Sequence, residues 1–198
     1  METRRVLADL AAHWHDTCGI ALRLEPVGGV DAAGHVRADS LTPLARSGVA
    51  VAVRAGADLP DITTETALQA AVMSALTVGH STGPSSTHLL RMFERWGVLD
   101  EIRGRIVQAP PGVPVALLVA QGDVALGFQQ LSELLGAPGI EIVGPLPESV
   151  QTVTVFSGAV CSSTQMPDAA RSWLHFMASP AADAVKRRHG MSPARPDC

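Results

Sequence analysis

The sequence predicts a protein of the α/β class. Ala75 to His80 is a short apolar run that leads into a loop rich in Ser, Thr and Gly and then into an amphipathic stretch, the pattern of a buried strand followed by a helix. Further along, an apolar helix that starts at Val115 and is closed by Gly122 precedes a second apolar strand at Val124 to Phe128. With 46% hydrophobic and 17% charged residues among 198, the composition is that of a folded chain.

The chain begins with an amphipathic helix. Its apolar residues recur at helical spacing and form one stripe: Val6, Leu7, Leu10, Ala11 and Trp14. Gly19 follows as the predicted helix end, and the alternation of Ile20, Leu22 and Leu24 predicts a strand. A further apolar strand is expected from Val49 to Val53.

The helix after the Ser-rich loop has an apolar face made of Leu89, Leu90, Met92, Phe93 and Trp96, and Gly97 is placed to end it. Strands are then expected at Ile106 to Ala109 and Thr152 to Val160, with C-terminal helices at Pro167 to Met177 and Pro180 to His189. A basic cluster of Lys186, Arg187, Arg188 and His189 closes the last helix, where cations offset the helix dipole.

The loop before the predicted helix carries the clearest candidate site. The first turn of a helix has unpaired N–H groups and a partial positive charge, so hydroxyl groups placed there can hold a phosphate-like, carboxylate or oxyanion ligand. The hydroxyl-bearing residues in question are Ser81, Thr82, Ser85 and Ser86. The alternative is that Ser85 or Ser86 caps the helix and no ligand binds. His80 and His88 flank the loop and could donate to an anion or carry a proton.

A second group of polar residues follows the strand at Val124 to Phe128. Gln129, Gln130, Ser132 and Glu133 are expected just beyond its carboxyl end. Open α/β sheets bind their ligands at this edge. Gln129 is therefore the predicted polar contact across the site.

Composition argues against several other functions. The formal net charge is -4 and no basic stripe with interleaved aromatic residues occurs, so nucleic acid is not an expected partner. No run of about twenty apolar residues is present, and the basic start of the chain is interrupted by Asp9 and His13, so neither a membrane span nor a signal peptide is predicted. The three cysteines lack CxxC spacing, and we expect no metal site and no cofactor.

A longer pattern covers most of the chain from Leu44 onward. The segment LARSGVAVAVRAGADLPDITT is followed by the loop STGPSS, by VALLVAQGDVALGFQQLSELL, and then by EIVGPLPESVQ and PDAARSWLHFMASPAADAVKRRHGMSPA. This order resembles the substrate-binding proteins related to the molybdate-binding component of ABC transporters. GFQQLSELL is the most specific element of the resemblance.

The resemblance implies a two-lobed fold of the type II periplasmic-binding-protein kind, with mixed sheets flanked by helices. In that fold, two lobes joined by crossover strands close on an anion. We expect residues 1-75 plus 151-198 to form lobe one and residues 76-150 to form lobe two. The chain differs from the family because it starts at a helix, without the usual signal peptide, first strand and Ser-bearing loop, so lobe one is expected to be incomplete. It also contains no tyrosine, whereas the molybdate binders place one on the ligand.

These features leave three functions open. The first is the solute-binding component of an ABC transporter: a monomer that binds a small anion, either an oxyanion such as molybdate or a carboxylate, and hands it to a permease. The expected ligand contacts are Ser81, Thr82, Ser85, Ser86 and Gln129. The family implies a periplasmic location, and a cytoplasmic one is expected if the sequence is complete.

The second function is an isomerase, because some relatives resemble aconitate isomerase. Such an enzyme would hold a tricarboxylate in the same anion site while His80, His88 or Glu133 moves a proton. The third is a truncated relative without ligand binding, in a structural or interaction role.

Overall fold

The computed structural model describes residues 2–24, 35–82 and 84–194. Their internal contacts divide the chain into two compact units, one formed by Met1–Ser47 and Val155–Cys198 and the other by Gly48–Thr154. The lobe bounds expected from the sequence stay a prediction, because compactness in one conformation does not show which segments move together.

Helices and strands alternate along much of the chain. The helices are α1 Glu2–Cys18, α2 Glu65–Ser74, α3 Pro84–Arg95, α4 Leu99–Ile102, α5 Val115–Gln121, α6 Leu131–Leu134, α7 Pro167–Ala178 and α8 Asp183–Arg188. The strands are β1 Thr42–Arg54, β2 Val78–His80, β3 Ile106–Gln108, β4 Leu126–Gln130, β5 Ile140–Pro145, β6 Val153–Gly158 and β7 Ser192–Pro193. Short 3-10 turns occur at Ala38–Ser40, Arg103–Arg105, Glu148–Val150 and Pro180–Ala182.

The unit Gly48–Thr154 is built on a mixed sheet with strand order β3-β2-β4-β1-β5. β2 pairs in parallel with β3 and β4, whereas β1 pairs antiparallel with β4 and β5. All three residues of β2 are buried. A parallel strand between two neighbours is covered on both faces by helices, so its sequence has no polar alternation.

The two faces of this sheet have separate cores. On one face, Phe128 of β4 makes an edge-to-face contact with Phe93 of α3, and Val78 lies in the same cluster. On the other face, α5 packs so closely that a Cβ atom at Gly127 would lie 2.5 Å from Val119 Cγ2. Successive side chains of a strand point to opposite faces, so β4 contributes alternately to the two cores.

The other unit has its own core between α1, α7 and α8. The buried members of this cluster are Val6, Leu10, Ala45, Val160, Leu174, Phe176, Met177, Ala182, Val185 and Met191. Trp14 of α1 packs edge-on against Trp173 and Phe176 of α7. The predicted apolar stripe of α1 is therefore confirmed as its packing face, and Gly19 follows the helix with a φ of 72°.

The prediction of a strand from Ile20 to Leu24 is wrong. Residues 20–24 form no regular element, and the side chain of Ile20 is 47% exposed. Apolar alternation predicts a strand only when a partner strand supplies the ladder hydrogen bonds, and no such partner pairs with this segment among the described residues.

The basic cluster at the end of α8 is also not uniformly exposed. Lys186 is only 1% exposed, and its Nζ lies 3.7 Å from Oδ1 of the buried Asp183. Arg187 and Arg188 are exposed. Lys186, Arg187 and Arg188 all lie in the last turn of α8, as predicted, and Lys186 is in addition a buried member of an ion pair.

Candidate functional site

The candidate site lies at the carboxyl end of the central strand β2. His80 is the last residue of that strand, and α3 begins at Pro84. Ser81 and Thr82 connect the two elements, while Gly83 lies outside the described residues. The carboxyl ends of parallel strands in an open α/β sheet are where ligands bind, so the predicted loop has the position of a binding site.

A small pocket of about 10 Å³, room for about one water molecule, opens beside this loop. It is lined by Val49, His80, Ser81, Ser85, Ser86, Leu89 and Phe128. Four of the residues singled out from the sequence, His80, Ser81, Ser85 and Ser86, are thus brought together. The apolar residues come from β1, α3 and β4 and form the wall of the pocket.

Ser85 and Ser86 occupy the first turn of α3 and not its cap. Because the helix begins at Pro84, they are its second and third residues, and the alternative that one of them satisfies the helix end stays a prediction. The first N–H groups of a helix have no partner within the helix, and they carry the positive end of its dipole. The first turn of α3 therefore favours a negatively charged group in the pocket.

The two serines are buried. Ser85 is 8% exposed and Ser86 is 7% exposed. Ser86 and Ser81 each have an interaction partner. Ser85 lines the pocket, and its hydroxyl can donate a hydrogen bond to a ligand or water there.

His80 is 4% exposed and lines the same pocket. Its Nδ1 lies 2.8 Å from the carbonyl oxygen of Ser81. A carbonyl oxygen can only accept a hydrogen bond, so the proton of the neutral ring must be on Nδ1. The ring therefore has Nε2 left as an acceptor when neutral and as a donor when protonated.

Gln129 does not line this pocket. Its Oε1 accepts a hydrogen bond from the backbone N–H of Val115 at 3.0 Å, and its Nε2 donates to Oε2 of Glu133. Both ends of the amide are therefore engaged at the first residue of α5, on the sheet face opposite α3. The structure keeps Gln129 apart from the serines that the sequence grouped it with.

The strand boundary explains this placement. β4 runs from Leu126 to Gln130 rather than from Val124 to Phe128, because its last residues pair with Val49 and Ala50 of β1. Gln129 is thus inside a strand, where its neighbours Phe128 and Gln130 point to the α3 face. Gln130 is buried there, and its Nε2 donates to Thr154 Oγ1 at 2.8 Å.

The remaining predicted residues do not line the pocket. Thr82 and His88 are exposed, and Glu133 is half-buried against Gln129. Val49, Leu89 and Phe128 line the pocket although sequence analysis assigned them to the core alone. An apolar side chain in a core and one in a pocket wall have the same sequence pattern, so the sequence alone could not identify these three residues as pocket residues.

The fold and the pocket together define a class of protein, an α/β protein that binds a small ligand at the carboxyl edge of its sheet. Residues 26–192 match the family described as bacterial extracellular solute-binding protein. The chain belongs to this family, which confirms the resemblance found in the sequence.

One characterised relative is an aconitate isomerase from Pseudomonas sp., which is 40% identical over 162 residues. The match covers 82% of this chain and 62% of the relative. This chain therefore spans less than two thirds of the length of that enzyme.

Solved structures of the same kind share the fold. The substrate-binding domain of a molybdenum ABC transporter from Clostridium difficile has a TM-score of 0.78 at 12% identity, covering 98% of this chain and 96% of that one. The periplasmic molybdate-binding protein of Azotobacter vinelandii has a TM-score of 0.72 at 19% identity, covering 97% and 95%. The predicted α/β fold of the type II periplasmic binding proteins is confirmed. Among the described residues, no helix combines the length and apolarity needed to cross a membrane.

Proposed function

We propose that this chain binds a small anionic solute in the pocket between β2 and α3. The observation that carries the proposal is the convergence of the first turn of α3, the buried Ser85 hydroxyl and His80 on one pocket. Membership of a solute-binding family supports it, since these proteins recognise small ligands.

The charge of the pocket favours an anion over a cation. No Asp or Glu is among the residues that line it. The dipole of a helix start and the N–H groups of its first turn attract negative charge without any basic side chain. Such a site suits a carboxylate or an oxyanion.

The proposed contacts are Ser81, Ser85 and Ser86, with Thr82 at the rim. Gln129 is left out, because its amide already bonds to Val115 and Glu133. Its proposed role is to hold the start of α5 in place.

We further propose a carboxylate as the ligand class. The relative that shares 40% identity with this chain is an aconitate isomerase, whose name refers to a tricarboxylate. The molybdate-binding structures are below 25% identical and support only the fold. As in other solute-binding components, the ligand would be passed to an ABC permease by a protein working outside the cytoplasm.

Thermal unfolding with a panel of anions tests the proposal. The panel is citrate, tricarballylate, trans-aconitate, phosphate, sulfate and molybdate. A ligand at a hundred times its dissociation constant adds about 2.7 kcal/mol of stability, which raises Tm by about 5 to 10 °C in a chain of this size. Selective stabilisation by the carboxylates is expected, and a melting temperature that no anion moves would overturn the proposal.

Two variants of α3 locate the site. Ser85→Ala removes the buried hydroxyl in the pocket, whereas Thr87→Ala changes an exposed residue of the same helix. We expect Ser85→Ala to weaken binding about 10- to 150-fold, because one hydrogen bond to a charged group contributes about 1.5 to 3 kcal/mol. Thr87→Ala should bind like the wild type, and equal effects of the two changes would place the site elsewhere.

A second function, isomerisation of a tricarboxylate, is favoured by a separate observation. The aconitate isomerase relative is 40% identical, and His80, whose neutral ring keeps Nε2 as an acceptor, lines the pocket. A neutral imidazole in that position could take a proton from the carbon next to a carboxylate and return it elsewhere in the ligand. Conversion of trans-aconitate by the purified protein, abolished in His80→Gln, would establish this function. Tight binding without conversion would leave the protein a binder.

A further inference from the structure

We propose that His80 makes ligand selection depend on protons, and this inference rests on the proposed function. A ligand that places an anionic oxygen without a proton against His80 binds together with one proton, which the imidazole ring takes up. Ligands that offer a hydroxyl group at that contact bind the neutral ring without proton uptake.

The tautomer of His80 is the first step. Since the Ser81 carbonyl holds the proton on Nδ1, Nε2 is the nitrogen of the neutral ring that can accept a hydrogen bond. His80 lines the pocket, so the proposal assigns the ligand contact to Nε2. A carboxylate oxygen has no proton to share, so it meets this lone pair with repulsion unless the ring is protonated.

The surroundings of His80 are the second step, because another charge could compensate for the repulsion. Around the ring, β1, β4 and α3 contribute Val49, Phe128, Leu89 and the serines, none of which is charged. The charged or titratable residues of α3 near its start, His88 and Arg91, are exposed, as is Glu94. β3 and α5, which also contact β2, contain no titratable residue, and Glu133 of α6 is held by Gln129 on the opposite face.

Two consequences follow for ligand choice. Protonation turns Nε2 into a donor and adds a positive charge beside the positive end of α3, which favours a fully ionised ligand. A hydroxyl group instead donates to neutral Nε2, so a hydroxycarboxylate retains its affinity at a pH where the ring is neutral. A hydroxycarboxylate is therefore the ligand class that the neutral ring accepts without proton uptake.

Citrate and tricarballylate form a matched pair for the test, because they differ by a single hydroxyl group. Calorimetric titrations of the wild-type protein at pH 7 and pH 8, each in two buffers of different ionisation enthalpy, measure affinity and proton uptake together. We expect tricarballylate to bind with proton uptake and to lose affinity by up to about tenfold over this pH unit, as linkage to one proton requires. Citrate should show neither effect.

His80→Gln tests the assignment, with His88→Gln as the matched change on the exposed face of α3. The glutamine cannot titrate, so tricarballylate binding by His80→Gln should no longer depend on pH, whereas His88→Gln should behave like the wild type. A circular dichroism melt verifies that each variant folds, and proton uptake by the wild type tests the inference independently of any variant.

The outcomes separate the two proposals. Anion binding with the same proton uptake for both ligands, or with none for either, would overturn the role of His80 and leave the anion site standing. Retention of the pH dependence in His80→Gln would do the same. Failure of every anion of the panel to bind at both pH values would overturn the proposed function and this inference with it.

Discussion

The indole N–H of Trp96 donates a hydrogen bond to Oε1 of Glu65 at 2.7 Å, and this contact joins the end of α3 to the start of α2. The same carboxylate accepts hydrogen bonds from Arg95 Nη2 at 3.2 Å and from Ser149 Oγ at 3.0 Å. The Glu65 side chain therefore links the start of α2 to the end of α3 and to the 3-10 turn at Glu148–Val150.

The hydrogen bond from Trp96, followed by that from Ser149, lowers the pKa of Glu65 below its usual value. A group with a lowered folded-state pKa contributes stability above its unfolded pKa, and this contribution is lost as the pH falls through the folded pKa. We therefore expect Glu65→Gln to lower Tm at pH 7, and we expect the difference from wild type to shrink below about pH 4.5.

Thermal melts of both proteins from pH 7 to pH 3, followed by tryptophan fluorescence, measure this difference. The control is Glu94→Gln, an exposed carboxylate on α3. A difference between Glu65→Gln and wild type that stays constant with pH would show that the carboxylate is not stabilised by these contacts.

The amide of Gln129 should contribute to stability through α5. Removing it in Gln129→Ala leaves the buried N–H of Val115 without its acceptor, a loss of about 1 to 3 kcal/mol. Urea unfolding measures the change in the free energy of unfolding. The control is Gln121→Ala, which alters an exposed residue of α5 and should cost less than about 0.5 kcal/mol. Equal stabilities of the two variants would contradict the capping role.

Gly79 of β2 is a position where a side chain does not fit. A Cβ atom there would lie 2.6 Å from Val124 Cγ1 and 2.7 Å from Val124 Cγ2. Gly79→Ala should destabilise the protein by about 1 to 3 kcal/mol through overpacking. Gly104→Ala, which meets no atom within 4 Å, is the matched control.

The double variant Gly79→Ala, Val124→Ala separates crowding from a backbone effect. If crowding is the cause, the smaller residue at position 124 makes room, and the two changes together cost less than their sum. Additive losses in chemical denaturation would point to the backbone instead.

The buried ion pair of α8 gives a prediction for the other unit. Asp183→Asn removes the carboxylate that lies 3.7 Å from the buried Lys186 ammonium. Breaking such a pair from one side costs about 3 to 5 kcal/mol. Thermal unfolding measures the loss of stability, with Asp16→Asn at an exposed position as the control. A change below about 1 kcal/mol in Asp183→Asn would mean that the burial of Lys186 does not depend on Asp183.

Local sequence determined those features that depend on neighbouring residues. The apolar stripe of α1, the face of α3 that carries Met92 and Phe93, and the left-handed glycines Gly97 and Gly122 follow from helical periodicity and backbone sterics. The Ser-rich loop at the end of β2 was recognisable for the same reason, because hydroxyl residues before an amphipathic run indicate a helix start.

Only the tertiary structure decided which of the predicted polar residues meet. Pairing with β1 shifted β4 by two residues, which placed Gln129 against α5 and gave Phe128 the α3 face. The tautomer of His80 depends on the position of the Ser81 carbonyl, and the burial of Lys186 depends on the packing of its unit. Strand register and side-chain direction result from contacts between residues far apart in the chain, whereas periodicity and turn chemistry report only on residues close together.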